Sequence, residues 1–181
     1  MLKEELEIPE GIEAKLENDS LVIRGMKGEI SKTFKHPLVS VKLDGGRITF
    51  ASEIERKKVR AIIGTWSVIA RNMFVGVTKG WKGEMKLVYS HFPVKLKLEG
   101  NRLLIENFLG ERSIRSVLVP ENLKIELDKN VLYVSGMDKE LVGQLCSRIE
   151  QSTKVRGFDK RVFQDGIYIT SKPYPEGENE K

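Results

Sequence analysis

The chain is poor in the residues from which most active sites and metal sites are made. Its 181 residues include one cysteine, Cys146, and two histidines, His36 and His91. A single cysteine forms no internal disulfide, which fits a reducing, cytoplasmic setting. Cys146 falls on the apolar side of a helical pattern, where a buried structural thiol is expected rather than a nucleophile. Neither histidine has a second His or Cys at metal-ligand spacing, so no metal site is expected. No apolar run approaches the ~18 residues that span a bilayer, and the acidic start MLKEELEIPEG is not expected to act as a signal peptide. GVTKGWKG (76–83) has glycines and a lysine but lacks the spacing that sets backbone amides around a phosphate. The acids are scattered, with no pair that can be placed across a cleft. An enzyme, a cofactor and a small-molecule substrate are therefore not expected. What remains is binding.

Repetition is what the chain does have. KLENDSLVIRGMKGE (15–29) and KLEGNRLLIENFLGE (97–111) align without a gap at seven of fifteen positions. Lys15, Leu16, Glu17, Leu21, Ile23, Gly28 and Glu29 fall on Lys97, Leu98, Glu99, Leu103, Ile105, Gly110 and Glu111. VSVKLDGGRITFAS (39–52) then lines up with LKIELDKNVLYVSG (123–136), and a helical pattern follows each. A unit of about ninety residues is too long for a solenoid repeat. Two domains are expected: a first repeat over 1–81, a second over 82–175, and an acidic tail, 176–181, expected to be disordered.

Within the first repeat, short alternating runs at 12–16, 20–25, 29–34, 38–43 and 47–51 predict antiparallel strands separated by turn residues. From Glu53 the period lengthens. Val59, Ile62, Ile63, Trp66, Ile69, Ala70, Met73 and Val77 predict an amphipathic helix of roughly twenty-five residues, capped by Ser52. Close packing on the sheet is a candidate reason for Gly64 and Gly76 inside it. The second repeat predicts an added strand at 85–93 and strands near 94–99, 102–107, 112–118, 123–127 and 131–135. A helix capped by Asp138 follows, with Leu141, Val142, Leu145, Cys146 and Ile149 on its apolar face. A final extended segment at 161–170 turns at Asp165-Gly166. The fold class is α+β: an internal duplication giving two similar domains, each an antiparallel β-sheet packed on one α-helix.

Net charge is only +5, but it is unevenly placed. Residues 56–86 carry eight Lys or Arg against one acid, Glu84, and Lys154, Arg156, Lys160 and Arg161 stand together against Asp159. Clustered positive charge favours a polyanionic partner. The segment KVRGFDKRVFQDGIYITSKP (154–173) adds two glycines and three aromatics to five cations. Basic side chains on loops suit the phosphates and shallow minor groove of an RNA helix. Phe163, Ile167 and Ile169 are expected to pin the last strand to the core, and Phe158 to pack there rather than stack on a base. Composition leaves a free-standing RNA-binding regulator and a protein-interaction scaffold open.

The duplication and the phrase RVFQDGIYI narrow the choice. Gln151, Val155, Arg161, Phe163, Asp165, Gly166, Ile167, Tyr168 and Ile169 fit a C-terminal pattern, while Phe158 stands where that pattern has Lys or Arg. NMFVGVTKGW (72–81), VYSHFPV (88–94) and NFLGER (107–112) belong to the same likeness. With these residues the chain resembles the ribosomal protein six family of the large subunit, in its archaeal and eukaryotic branch. The resemblance implies a tandem of two α+β domains and a structural, non-enzymatic role. It implies binding to large-subunit rRNA, mainly through the second domain, near the base of the factor-recruiting stalk and beside neighbouring ribosomal proteins. It implies no membrane partner. Carried onto this sequence, the RNA-binding residues are Arg112, Lys154, Arg156, Lys160, Arg161 and Lys172, acting on phosphates rather than reading bases. Gly110 and Gly166 either let the backbone near a phosphate or only make turns. The run Arg56, Lys57, Lys58, Arg60 makes the first domain the weaker RNA candidate.

Overall fold

The computed structural model describes residues 2–178, and the chain separates into two units, Met1–Gly80 and Trp81–Lys181. In the first unit β1 (Leu2–Glu7) pairs antiparallel with β6 (Arg47–Ser52), which also pairs with β5 (Ser40–Asp44). A second small sheet is the meander β2 (Glu13–Glu17), β3 (Ser20–Gly25) and β4 (Gly28–Thr33). Helix α1 (Lys57–Thr78) packs on both.

The second unit repeats this plan. The meander β8 (Lys95–Glu99), β9 (Arg102–Glu106) and β10 (Arg115–Leu118) matches β2-β3-β4. The other sheet runs β11 (Leu123–Asp128), β12 (Val131–Gly136), β7 (Trp81–Val88), β13 (Gly166–Pro175), with α2 (Lys139–Ser152) packed against it. Strand β7 stands beside β12 as β1 stands beside β6, and opposite residues correspond: Leu2 faces Ser52 as Trp81 faces Gly136. The strand expected as an addition is thus the counterpart of β1, which the sequence pattern missed. The true addition is β13. β1 carries three acids and Lys3 around a single buried side chain, Leu6, so it has little apolar periodicity to detect.

The core explains why the repeat survives as spacing. Leu21 and Ile23 on β3, Ile48 and Phe50 on β6, Leu103 and Ile105 on β9, and Leu132 and Val134 on β12 are all fully buried. They are the same four positions of each repeat, on the inner face of each central strand. Each such side chain contributes roughly 1.5–3 kcal/mol on burial. Under α1 the first unit adds an aromatic cluster, with Phe34 and Phe50 against Trp66 at ring separations of 5.3 and 6.1 Å. By length and composition α1 would serve as a membrane-spanning segment, yet Val59, Ile63, Ala70, Met73 and Val77 are buried against the sheets. The duplicated α+β architecture is clear.

Several local expectations change. Ser52 does not cap α1: it lies in the β6 ladder opposite Leu2, and its Oγ accepts from Ile54 N–H at 3.2 Å. The helix begins at Lys57 with Arg56 as an N-cap that makes no side-chain bond, and no acid stands in its first turn. Gly64 faces open space, so close packing does not account for it. Asp138 does cap α2, accepting from Glu140 N–H at 2.8 Å. The expected strands at 85–93, 112–118 and 161–170 each shorten or shift, because residues 89–94, 107–114 and 153–165 are loops. Past Pro175 the chain turns, with Glu178 N–H on the Pro175 carbonyl at 3.1 Å; the remainder of the expected acidic tail, 179–181, lies outside the described residues.

Candidate nucleic-acid interface

Those three loops meet at one end of the second unit. The 107–114 turn opens with Asn107, Leu109 and Gly110 at φ of +59°, +51° and +74°. A buried leucine in the left-handed region is held there only by its surroundings. Phe108 beside it is fully buried, and Asn107 Nδ2 donates to the Pro93 carbonyl at 3.1 Å. A Cβ on Gly110 would meet the Phe92 ring at 3.0 Å, so the 89–94 loop lies directly on this turn.

The same 89–94 loop also touches the third. Ser90 Oγ donates to Asp165 Oδ1 at 3.0 Å, and the His91 ring packs on Phe163 at 4.9 Å. Asp165 is 1% exposed, and among the described residues its Oδ2 has no hydrogen-bond partner. Asp159 organises the basic stretch from within, its Oδ1 accepting from Arg161 N–H at 2.9 Å and its carbonyl from Phe163 N–H at 2.9 Å. The ends of the loop are fastened by Thr153 Oγ1, which accepts from Ile167 N–H at 3.0 Å, and by Glu150 Oε1, which accepts from Ile169 N–H at 3.1 Å.

One residue closes the ring. Arg115 makes a two-pronged ion pair with Glu111, with Nε on Oε2 at 2.8 Å, and lies over the Phe108 ring at 4.3 Å. Its Nη1 donates to the Ser152 carbonyl at 2.7 Å, where α2 ends and the basic loop begins. The pair pulls the Glu111 pKa below the ordinary value, chiefly through the guanidinium hydrogen bond; partial burial opposes this and the Arg115 charge adds to it.

On this frame sit the basic residues expected to meet RNA. Arg112 projects from the 107–114 turn, and Lys154, Arg156, Lys160 and Arg161 from the 153–165 loop, all exposed. Among the described residues none of these five side chains has an ion-pair partner. An unneutralised cation cluster is the footprint of an anionic partner. Lys172 is elsewhere: six residues along β13 from Gly166, roughly 20 Å in extended chain, at an irregular stretch of the ladder between Ser171 and Tyr174. Phe158 is not in the core. It is 46% exposed, with one side on Phe163 at 4.8 Å. Phe163 itself precedes β13, so it braces the loop while Ile167 anchors the strand. Tyr89, Phe92 and Tyr168 are also exposed at this end, so aromatic faces stand among the cations. Sequence reasoning did not assign Arg115, His91 or Ser90 to this site, because their partners are distant in the chain. Gly110 serves the turn, at φ +74° and close under Phe92, whereas Gly166 makes room for the Tyr168 ring.

Fold and site together define a duplicated α+β binding protein whose second unit displays an unneutralised cationic and aromatic loop cluster. The family model described as ribosomal protein L6 matches residues 8–80 and again 92–166, once per repeat. The chain is 40% identical over 167 residues to the large ribosomal subunit protein uL6 of Methanosarcina mazei, covering 92% of this chain and 95% of that protein. It is 40% identical over 173 residues to the uL6 protein of Haloarcula marismortui, covering 96% and 97%. The uL6 protein of Methanobrevibacter smithii gives 40% over 171 residues, covering 94% and 96%. The chain belongs to the ribosomal protein L6 family.

Proposed function

We propose that the chain binds large-subunit rRNA through the loop cluster of its second unit, near the base of the factor-recruiting stalk, and supports the region where translation factors bind. As a member of its family it is a structural constituent of the large subunit of the cytoplasmic ribosome, not an enzyme. The observation that carries the rRNA reading is the convergence of three loops that hold Arg112, Lys154, Arg156, Lys160 and Arg161 exposed and unpaired among the described residues. Phosphate contacts from such side chains position a protein on a helix without reading its sequence, and A-form RNA is recognised largely in that way. The second domain, proposed as residues 82–175, carries most of the affinity, with Lys172 extending the RNA-facing surface along β13. The first domain contributes less, and neighbouring ribosomal proteins at the stalk base are its proposed partners, with Arg56, Lys57, Lys58 and Arg60 exposed at the start of α1.

Co-sedimentation tests this. The chain should stay with large subunits through a high-salt wash and compete for isolated large-subunit rRNA. Release of the bulk of the chain from intact subunits, with no affinity for the isolated rRNA, would overturn the reading.

A further inference from the structure

Beside the cationic rim, where α2 ends and β13 begins, lies a cavity of about 350 Å³. This is at the small end of ligand-sized clefts, roughly 300–1,000 Å³. The residues that line it include Lys154, Lys160, Phe163, Tyr168, Gln151 and Gln164. The Tyr168 ring is fixed in advance. It lies over Gly166, where a Cβ would meet the ring at 3.0 Å, and its hydroxyl donates to the Gln164 carbonyl at 2.9 Å. Phe163 packs against the rings of His91 and Phe158. Both carboxamides are exposed, and among the described residues neither has a hydrogen-bond partner. The one acid in the lining, Glu150, has its Oε1 occupied by the Ile169 N–H.

These features narrow the ligand by elimination. A metal cation would meet two ammonium groups. An acyl chain would leave two lysines and two amides desolvated without partners. A free phosphate would use the lysines and leave the rings and amides idle. A nucleotide uses all of them: a planar base for the rings, a polar base edge for the amides, and flanking phosphates for the lysines. Unpaired RNA bases are recognised in this manner, splayed from the strand onto aromatic faces and hydrogen-bonded along an edge.

We infer that the cavity receives one unpaired nucleotide of the bound RNA, its base against Tyr168 and Phe163, its phosphates on Lys154 and Lys160, and its edge on Gln151 and Gln164. This rests on the rRNA reading above and deepens it, because it gives the loop cluster a preference among RNAs that phosphate contacts alone do not supply.

The test compares two RNA probes bound by the full chain: a stem with one bulged 2-aminopurine nucleotide, and the same stem fully paired. The bulged stem should bind about tenfold more tightly, as one base stacked on an aromatic face implies, and 2-aminopurine emission should change on binding. Tyr168→Ala should erase the preference and the emission change while leaving affinity for the paired stem within about twofold. Tyr168→Phe should keep both. The Gln151→Ala/Gln164→Ala double variant, whose side chains hold nothing in the fold, should reduce the preference even if Tyr168→Ala proves unfolded. Equal, salt-sensitive binding of both stems would overturn the pocket and leave the interface standing. Failure to bind either stem would overturn both.

Discussion

The guanidinium of Arg115 donates to the carbonyl of Ser152 at 2.7 Å, joining residues 37 apart in the chain. One end of that bond is the first residue of β10, directly after the turn that bears Arg112; the other is the last residue of α2, from which the loop bearing Lys154, Arg156, Lys160 and Arg161 departs. Five cations therefore share a frame that this side chain helps to close. The equivalent turn of the first repeat, Gly25 to Gly28, is built differently. There Lys27 N–H donates to the Val77 carbonyl at 2.9 Å, and Met26 is 89% exposed where Phe108 is buried. One repeat ties its turn to a long helix, and the other ties it to a cation.

Arg115→Ala removes the Glu111 pair, the Phe108 stacking and the Ser152 bond at once. It should destabilise the chain by about 1–3 kcal/mol, the range for charge-assisted hydrogen bonds in partly buried settings. The Glu111 carboxyl is depressed in the fold by its Arg115 hydrogen bond. Its contribution is therefore complete above the ordinary carboxylate pKa of about 4.3 and is lost as pH falls through the lower folded value. Urea unfolding at stepped acid pH should show this loss in the parent chain and a shallower one in Arg115→Ala. Equal pH dependence in the two would detach the pair from stability.

Cys146 is 1% exposed on α2, and burial pushes its thiol up to about 11, with Glu150 adding to the shift. At neutral pH the thiolate is scarce as well as shielded, so native labelling by a thiol reagent should be slow. Denaturant should speed it by two to three orders of magnitude, on the order expected from the return to an ordinary thiol pKa alone. On β7, beneath α2, a Cβ on Gly83 would stand 3.0 Å from the Cys146 Sγ. Gly83→Ala should cost about 1–3 kcal/mol by overpacking. Rapid labelling of the native chain, or a silent Gly83→Ala, would contradict this packing.

What the sequence revealed was what depends on neighbours in the chain. The Asp138 cap was legible because a cap bonds its own next residues, and the buried positions of β3, β6, β9 and β12 because alternation is local. Ser52 had equal cap chemistry and was misread, because the ladder with Leu2, fifty residues away, took it first. β1 was hidden by its acids. The exchange of Glu4 for Gly83 at matching strand positions is tertiary too: Glu4 reaches Ser67 Oγ at 2.6 Å on α1, while Gly83 makes room for Cys146. In the site, charge announced Lys154 to Arg161, since exposed cations are a property of composition. The frame beneath them was not announced, because Ser90 meets Asp165 across 75 residues. Lys172 shared the composition and not the place.

The chain divides at Gly80 and Trp81, and each unit has its own fully buried strand positions. A fragment of residues 81–181 should therefore unfold cooperatively on its own in denaturant, as domains of about a hundred residues commonly do. It should also keep the slow Cys146 labelling of the whole chain. A fragment that labels at the denatured rate would show that the second unit depends on the first.

The placement of the RNA surface yields the most consequential outcome. Each phosphate that the protein no longer neutralises flattens the dependence of log affinity on log salt by somewhat under one, with about −0.9 per phosphate on duplex DNA as the guide. Lys160 and Arg161 are exposed and, among the described residues, unpaired, so replacing both by Ala should spare the fold. Binding to large-subunit rRNA should weaken, and the slope should fall by up to about two. Arg56→Ala/Lys57→Ala alters two cations at the start of α1, where the helix dipole already disfavours them. That variant should bind nearly as the parent does and be no less stable, so the two double variants separate a phosphate-binding role from a general reduction in charge. Titration of both across several salt concentrations decides the matter. Equal losses, or an unchanged slope for the 160/161 pair, would move the RNA surface away from the three-loop junction.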